Sequence, residues 1–170
     1  MPQDDPRPLP YLDEEARRLR AQSALDVSLE VEIKTSSSSI SNPSNPSNSP
    51  PPSCSGCVVS RSNARHLYWS FPQMIAHHSV GGCPLLPGDL LGSGTVSAPG
   101  GREGRGLGCL LEMTKAGREP LNLACGASRT YLEDGDEVVL RGRCEAKEGG
   151  IRGIGWGEAR GRLLPAVSPL

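Results

Sequence analysis

The run LDVSLEVEI, Leu25 to Ile33, decides the class of this fold. Leu25, Val27, Leu29, Val31 and Ile33 alternate with Asp, Ser and Glu, a period of two that places all five apolar side chains on one face of an extended strand. Just upstream, EEARRLRAQSAL (Glu14 to Leu25) favours helix by propensity. Before it, MPQDDPRPLP is acidic and proline-rich, an extended lead without the basic and apolar regions of a secretory signal. Just downstream, TSSSSISNPSNPSNSPPPS (Thr35 to Ser53) holds too little apolar surface to offset its ordering entropy. It reads as a disordered Ser/Pro/Asn-rich insertion. The chain therefore divides into a lead segment with a first strand (1–34), a disordered insertion (35–57) and a folded part (58–170).

Composition limits what that folded part can be. The 170 residues include 21 Gly, 16 Pro and one Phe, with 36% hydrophobic residues, a small supply for a compact core. A net charge of −1 gives no electrostatic reason to expect nucleic acid or an anionic membrane as partner. No stretch approaches the ~18 apolar residues a bilayer span needs. Six cysteines, at 54, 57, 83, 109, 125 and 144, read as free thiols of a reducing, cytoplasmic compartment, since nothing indicates secretion.

Within the folded part, Leu67 to His78 reads as a helix. Pro72 is accommodated if the first turn starts near Ser70, and Gly81-Gly82 ends it. Asp89 to Leu91 and Cys109 to Thr114 (CLLEMT) read as short strands. Arg129 to Leu132 and Glu137 to Leu140 read as a hairpin about Asp134-Gly135, a pair suited to tight turns. Ile151 to Gly157 alternates small and large residues, as expected where backbones approach closely. Many short strands and one clear helix imply a β-rich α+β fold.

Four groups of residues could carry chemistry. In Gly92-Ser93-Gly94-Thr95, two glycines allow a ligand near the backbone and Thr95 offers a hydroxyl; an ordinary strand exit has the same composition. Glu112 lies between apolar neighbours, either solvated or turned into a cleft to orient a histidine base. His77 and His78 are adjacent, so on a helix they diverge and cannot chelate one ion; they read as a core or helix-end pair. Cys54-Ser55-Gly56-Cys57 has CxxC spacing but no second pair, and reads as incidental. No residue is assigned as a metal ligand. The acidic turn Glu133 to Glu137 lacks the spacing of a calcium loop.

Several blocks, in order, resemble the C-terminal part of fumarylacetoacetases, the fumarylacetoacetate hydrolase family. They are DPRPLPYL (Asp5 to Leu12), LDVSLEV (Leu25 to Val31) and SNARHLYWSFPQMIAHHSVGGCPLLPGDLLGSGTVS (Ser62 to Ser97). CLLEMTKAG (Cys109 to Gly117), YLEDGDEVVLRGRC (Tyr131 to Cys144) and IRGIGWGEARGRLLPA (Ile151 to Ala166) follow. The resemblance implies a mixed β-sandwich roll, a homodimer and hydrolysis of 4-fumarylacetoacetate to fumarate and acetoacetate in tyrosine and phenylalanine catabolism. It also implies that Thr95 binds substrate and that Glu112 orients the catalytic histidine. That histidine and the ligands of Mg2+ and Ca2+ lie upstream of the DPRPLPYL block in the family. The 170-residue chain is thus expected to be a C-terminal portion of the catalytic domain, inactive alone. The alternative is a non-catalytic subunit or pseudoenzyme pairing with an intact homologue.

Overall fold

The computed structural model describes residues 9–12, 25–35, 54–103, 105–145 and 153–167. The expected helix at Glu14 to Leu25 and nearly all of the Ser/Pro/Asn tract lie outside the described residues. Among them, the first strand forms as the alternation requires. Strand β1 (Ser28–Thr35) buries Ile33, half-buries Leu29 and Val31, and follows a buried Val27. Only Leu25, at the entry to the strand, stays exposed.

Strand β1 is a central strand. It pairs antiparallel with β2 (Cys54–Asn63) on one side and with β5 (Glu137–Cys144) on the other. Strand β6 (Ile154–Arg162) adds antiparallel to β5, giving the sheet order β2-β1-β5-β6. All nine residues of β6 are exposed, and its charged Glu158, Arg160 and Arg162 suit an edge strand that must not recruit another chain. One row of side chains crosses the whole sheet in register: Arg61, Glu30, Arg141 and Glu158 are successive cross-strand partners. The ion pairs along it measure 3.1 Å (Arg61–Glu30), 3.3 Å (Arg141–Glu30) and 2.7 Å (Arg141–Glu158). Opposite charges facing each other across a ladder help fix its register.

Strand β2 starts at Cys54, inside the stretch expected to be disordered up to residue 57. The reason is a β-bulge. Between the pairs Ile33–Cys57 and Thr35–Cys54, three steps of β2 oppose two of β1, so β2 carries one extra residue. Gly56 takes it up at φ +152°, and a Cβ there would collide with the Glu32 carboxylate. The Thr35 hydroxyl accepts the Cys54 N–H at 3.1 Å, closing the end of the ladder.

The longest helix among the described residues, α1 (Phe71–Val80), is capped as read. Ser70 and Gln73 form a reciprocal capping box, Pro72 sits in the first turn and Gly81 ends the last. His77 and His78 fall in that last turn, both exposed, and His77 Nδ1 shares a 3.0 Å hydrogen bond with the Tyr11 hydroxyl. They are a helix-end pair, not a core pair.

Three expected elements differ. Cys109 to Thr114 is not a strand: Leu110–Met113 forms one helical turn, α2, with Thr114 N–H bonded to Leu110 O at 2.9 Å. Leu, Glu and Met are strong helix formers, and among the described residues no strand pairs with them. Asp89 to Leu91 is not a strand either, and Leu90 is 98% exposed. The turn at Asp134-Gly135 exists, but Arg129 does not pair with β5. Instead β4 (Ser128–Arg129) pairs with β3 (Leu121–Asn122) in a separate two-stranded sheet. The core gathers where that hairpin meets the large sheet: Ile33, Cys54, Cys57, Val59, Met113, Leu123 and Ala127.

All pairings among the described residues are antiparallel, so the fold is a small, strand-rich α+β domain.

Candidate functional site

Thr95 and Glu112 come together around Gly108. The chain leaves the SGT turn through Gly94 and runs Thr95-Val96-Ser97-Ala98, returning so that Ala98 N–H meets Gly106 O. Gly108 then passes so close that a Cβ on it would lie 2.6 Å from Val96 O and 2.7 Å from Thr95 Cγ2. Only a glycine permits that approach. Two residues later α2 begins, and its single turn lifts Glu112 back toward the same glycine.

The Glu112 carboxylate is the polar centre of this junction. Its Oε2 accepts the Ser97 hydroxyl at 2.7 Å and the Gly108 N–H at 3.2 Å, and the Gly108 N–H also reaches Ser97 Oγ at 3.0 Å. The Ser97 hydrogen bond, joined by donors from Gly108 and Cys109, holds the Glu112 carboxyl below its ordinary range against the opposing effect of burial. Glu112 is nevertheless exposed, as is Thr95. The arrangement is an ionised carboxylate, fixed from one side by three neighbours and open on the other. It can accept a further N–H and orient it, which is the task of a carboxylate behind a histidine base.

The approach to this junction is bare. Residues 81 to 92 are exposed throughout. The order they have is local: Leu86 N–H bonds Asp89 Oδ2 at 2.8 Å and Ser93 Oγ bonds Gly94 O at 3.1 Å. An apolar hollow of about 150 Å³ lies between Phe71, Met74, Ile75 and His78 of α1 and Leu91-Gly92.

A second constellation lies in the core, away from Thr95. The sulfur atoms of Cys54, Cys57 and Cys125 all fall within 4.8 Å of one another. The pairing of positions 54 and 57 is legible as CxxC; the third member lies far downstream at the β3–β4 turn, and no spacing rule points to it. Burial pushes the Cys54 thiol up to about 12, reinforced by its hydrogen bond to Cys125. Burial also acts on Cys125, but hydrogen bonds from Cys54, the Ala127 N–H and Cys57 outweigh it and hold that thiol below its ordinary value. A cleft of about 290 Å³ bounded by Cys57, Arg102, Arg105 and Leu123 opens beside the cluster.

One buried ion pair supports the hairpin. Asp136 is fully buried and accepts Arg129 Nε at 2.8 Å and Nη2 at 2.9 Å, with the Glu133 N–H at 2.9 Å. The Asp136 hydrogen bond is the chief reason the Arg129 guanidinium holds its proton more tightly than usual.

Residues 13–162 match the model of the fumarylacetoacetate (FAA) hydrolase C-terminal family. The fumarylacetoacetase of Arabidopsis thaliana is 42% identical over 165 residues, which is 97% of this chain and 33% of that protein. That of Homo sapiens is 38% identical over 168 residues, 99% of this chain and 34% of that protein. That of Aspergillus fumigatus is 45% identical over 159 residues, 94% and 31% respectively. The chain thus spans about a third of the length of the curated relatives it matches.

Proposed function

Because this chain belongs to the family of fumarylacetoacetate hydrolase C-terminal domains, we propose that it forms the C-terminal third of a fumarylacetoacetase. The reaction is hydrolysis of 4-fumarylacetoacetate to fumarate and acetoacetate: water adds to a carbonyl of the β-diketone, and the adjacent carbon–carbon bond breaks. The observation that carries this reading is the junction at Gly108. It presents the Glu112 carboxylate, ionised and fixed by Ser97, beside the Thr95 turn.

In this reading Glu112 accepts the N–H of a histidine supplied by the segment that precedes Asp5 in the longer relatives. Accepting that proton's hydrogen bond sets the tautomer and aims the other ring nitrogen at the attacking water. Thr95 holds the substrate by its hydroxyl, and the neighbouring glycines keep the backbone accessible. Mg2+ and Ca2+ belong to the complete enzyme, but the described residues do not fit them. Both ions want several oxygen donors, and among the described residues the one cluster of three or more potential ligands is made of sulfur. No step of this chain's chemistry is routed through those ions. Homodimer formation and a cytoplasmic location belong to the same reading. The exposed Leu86, Leu90 and Leu91 supply an apolar edge for the rest of the enzyme or for an intact homologue.

The test is a chimera joining this chain to the N-terminal two-thirds of a related fumarylacetoacetase, assayed by disappearance of 4-fumarylacetoacetate. Glu112→Gln should lower kcat by about 100-fold or more with little change in KM, as expected for a group that acts through a base. Thr95→Val should mainly raise KM. Full activity in the Glu112→Gln chimera would overturn the assignment. The 170-residue chain alone should show no turnover.

A further inference from the structure

We propose that Cys54, Cys57 and Cys125 form a binding site for one thiophilic divalent cation, Zn2+ by its chemistry, that fastens the β3–β4 hairpin to strand β2. The site is built by the backbone. In a regular strand, residues three apart point to opposite faces. The extra residue at Gly56 restores Cys54 and Cys57 to the same face, and both are buried. The β3–β4 turn, closed by Leu123 N–H to Ala127 O at 2.8 Å and Gly126 N–H to Leu123 O at 2.9 Å, brings Cys125 against them.

The separations suit a metal better than a disulfide. Three thiolates at about 2.3 Å from zinc in a tetrahedral arrangement stand roughly 3.8 Å apart. The sulfur atoms here are within 4.8 Å, close enough to reach that spacing by small side-chain rotations. A disulfide would need about 2.05 Å between two of them and would leave the third unused. Two of the sulfurs also accept backbone N–H groups two residues on, Gly56 to Cys54 and Ala127 to Cys125, the outer contacts that orient thiolate ligands. Soft sulfur donors select zinc or monovalent copper over magnesium and calcium.

Charge and access are provided for. When the cation binds, each of the three thiols gives up its proton to solvent and forms a metal–sulfur bond; no oxidant or reductant is involved. The centre is left with a single negative charge, and the Arg129 guanidinium, although paired with Asp136, lies within electrostatic reach of Cys125. The cleft beside Cys57 gives the ion a path in and leaves the fourth coordination position to water.

The experiment uses the full 170-residue chain, reduced and metal-free, titrated with Zn2+ against a chromogenic chelator and separately with Co2+. The expected results are one Zn2+ per chain, a rise in thermal midpoint, and a sulfur-to-cobalt charge-transfer band. Cys125→Ser should weaken Zn2+ binding by more than about 100-fold, beyond the loss seen when outer-shell partners are removed. Cys144→Ser should bind as before. The charge-transfer band is read on the unsubstituted chain, so it stands even if a variant folds poorly. Absence of that band, or Zn2+ affinity unchanged in Cys125→Ser, would overturn the proposal.

Discussion

The corner of the molecule around Ile33 and the arm from Gly81 to Gly92 are built from similar residues and end in opposite states. In the corner, Ile33, Val139 and Asp136 are at most 2% exposed, and strands run on both sides of β1. Along the arm, PLLPGDLLG has the leucines of a buried strand, yet Leu86 is 64% and Leu90 98% exposed. The difference is not propensity. A strand is stabilised by its ladder and by what covers its face. β1 finds two ladder partners within the described residues; the arm finds none there.

The corner is where a single change should do the most harm. Asp136→Ala leaves Arg129, 7% exposed, as a buried charge facing no carboxylate at its Nε and Nη2. Removing one partner of such a pair typically costs ~3–5 kcal/mol. Urea denaturation of the two chains should show that loss as a shifted midpoint at constant slope. A cost below about 1 kcal/mol, no more than a surface pair is worth, would mean the corner is not the rigid half of the comparison.

Next comes the bulge. Gly56→Ala places a Cβ at φ +152° and 1.7 Å from Glu32 Oε1. The flexible Glu32 side chain must shift, and its other carboxylate oxygen is paired with Arg141 at 2.6 Å; the positive φ is strained in any case. Strain of this kind costs about 1–3 kcal/mol. The same substitution should separate Cys54 from Cys57 and reduce the cobalt–sulfur band in step with stability. If the band survives intact, the two cysteines share a face for some reason other than the bulge.

These two positions also mark what could be read in advance. The alternation from Leu25 to Ile33 and the Ser70, Pro72 and Gly81 signals around α1 are local, and both elements stand where they were expected. The turn at Asp134-Gly135 is local too and is present, but a turn does not name its strand. Gly135 N–H bonds Leu163 O and β5 pairs with β1 and β6, contacts that no nearby residue announces. CLLEMT reads as a strand but folds as one helical turn, because six residues are too few to separate the two by periodicity. Cys125 was invisible beside Cys54 and Cys57 because only tertiary structure brings it there. Thr95 and Glu112 are each singled out by the family resemblance; the close pass of Gly108 that brings their segments together is a tertiary feature with no local signal.

The site junction lies between the two extremes, and its titration measures how firmly it is held. Glu112 has a folded pKa below its unfolded value, chiefly through Ser97. Its contribution is therefore present above the unfolded pKa, near 4.3, and is lost as pH falls through the lower folded value. Glu112→Gln should leave stability at neutral pH lower by under about 1 kcal/mol, given the exposure of the group, and should flatten the acid limb below about pH 4. Ser97→Ala should raise the Glu112 pKa when it is followed by NMR. An unmoved pKa would mean that Ser97 does not fix the carboxylate.

The smallest effect is expected on the arm. Leu90→Ser removes an apolar side chain that touches almost nothing, so its cost in the 170-residue chain should stay within about 0.5 kcal/mol. Leu91→Ser, at 54% exposure and beside the hollow against α1, should cost slightly more. The chimera with the N-terminal two-thirds of a fumarylacetoacetase sharpens the contrast: on the proposed reading the arm would gain neighbours there, and Leu90→Ser should cost the ~2 kcal/mol or more of a newly buried leucine. Equal effects in the short and long proteins would mean that the arm's exposure is intrinsic to its sequence and owes nothing to missing ladder partners.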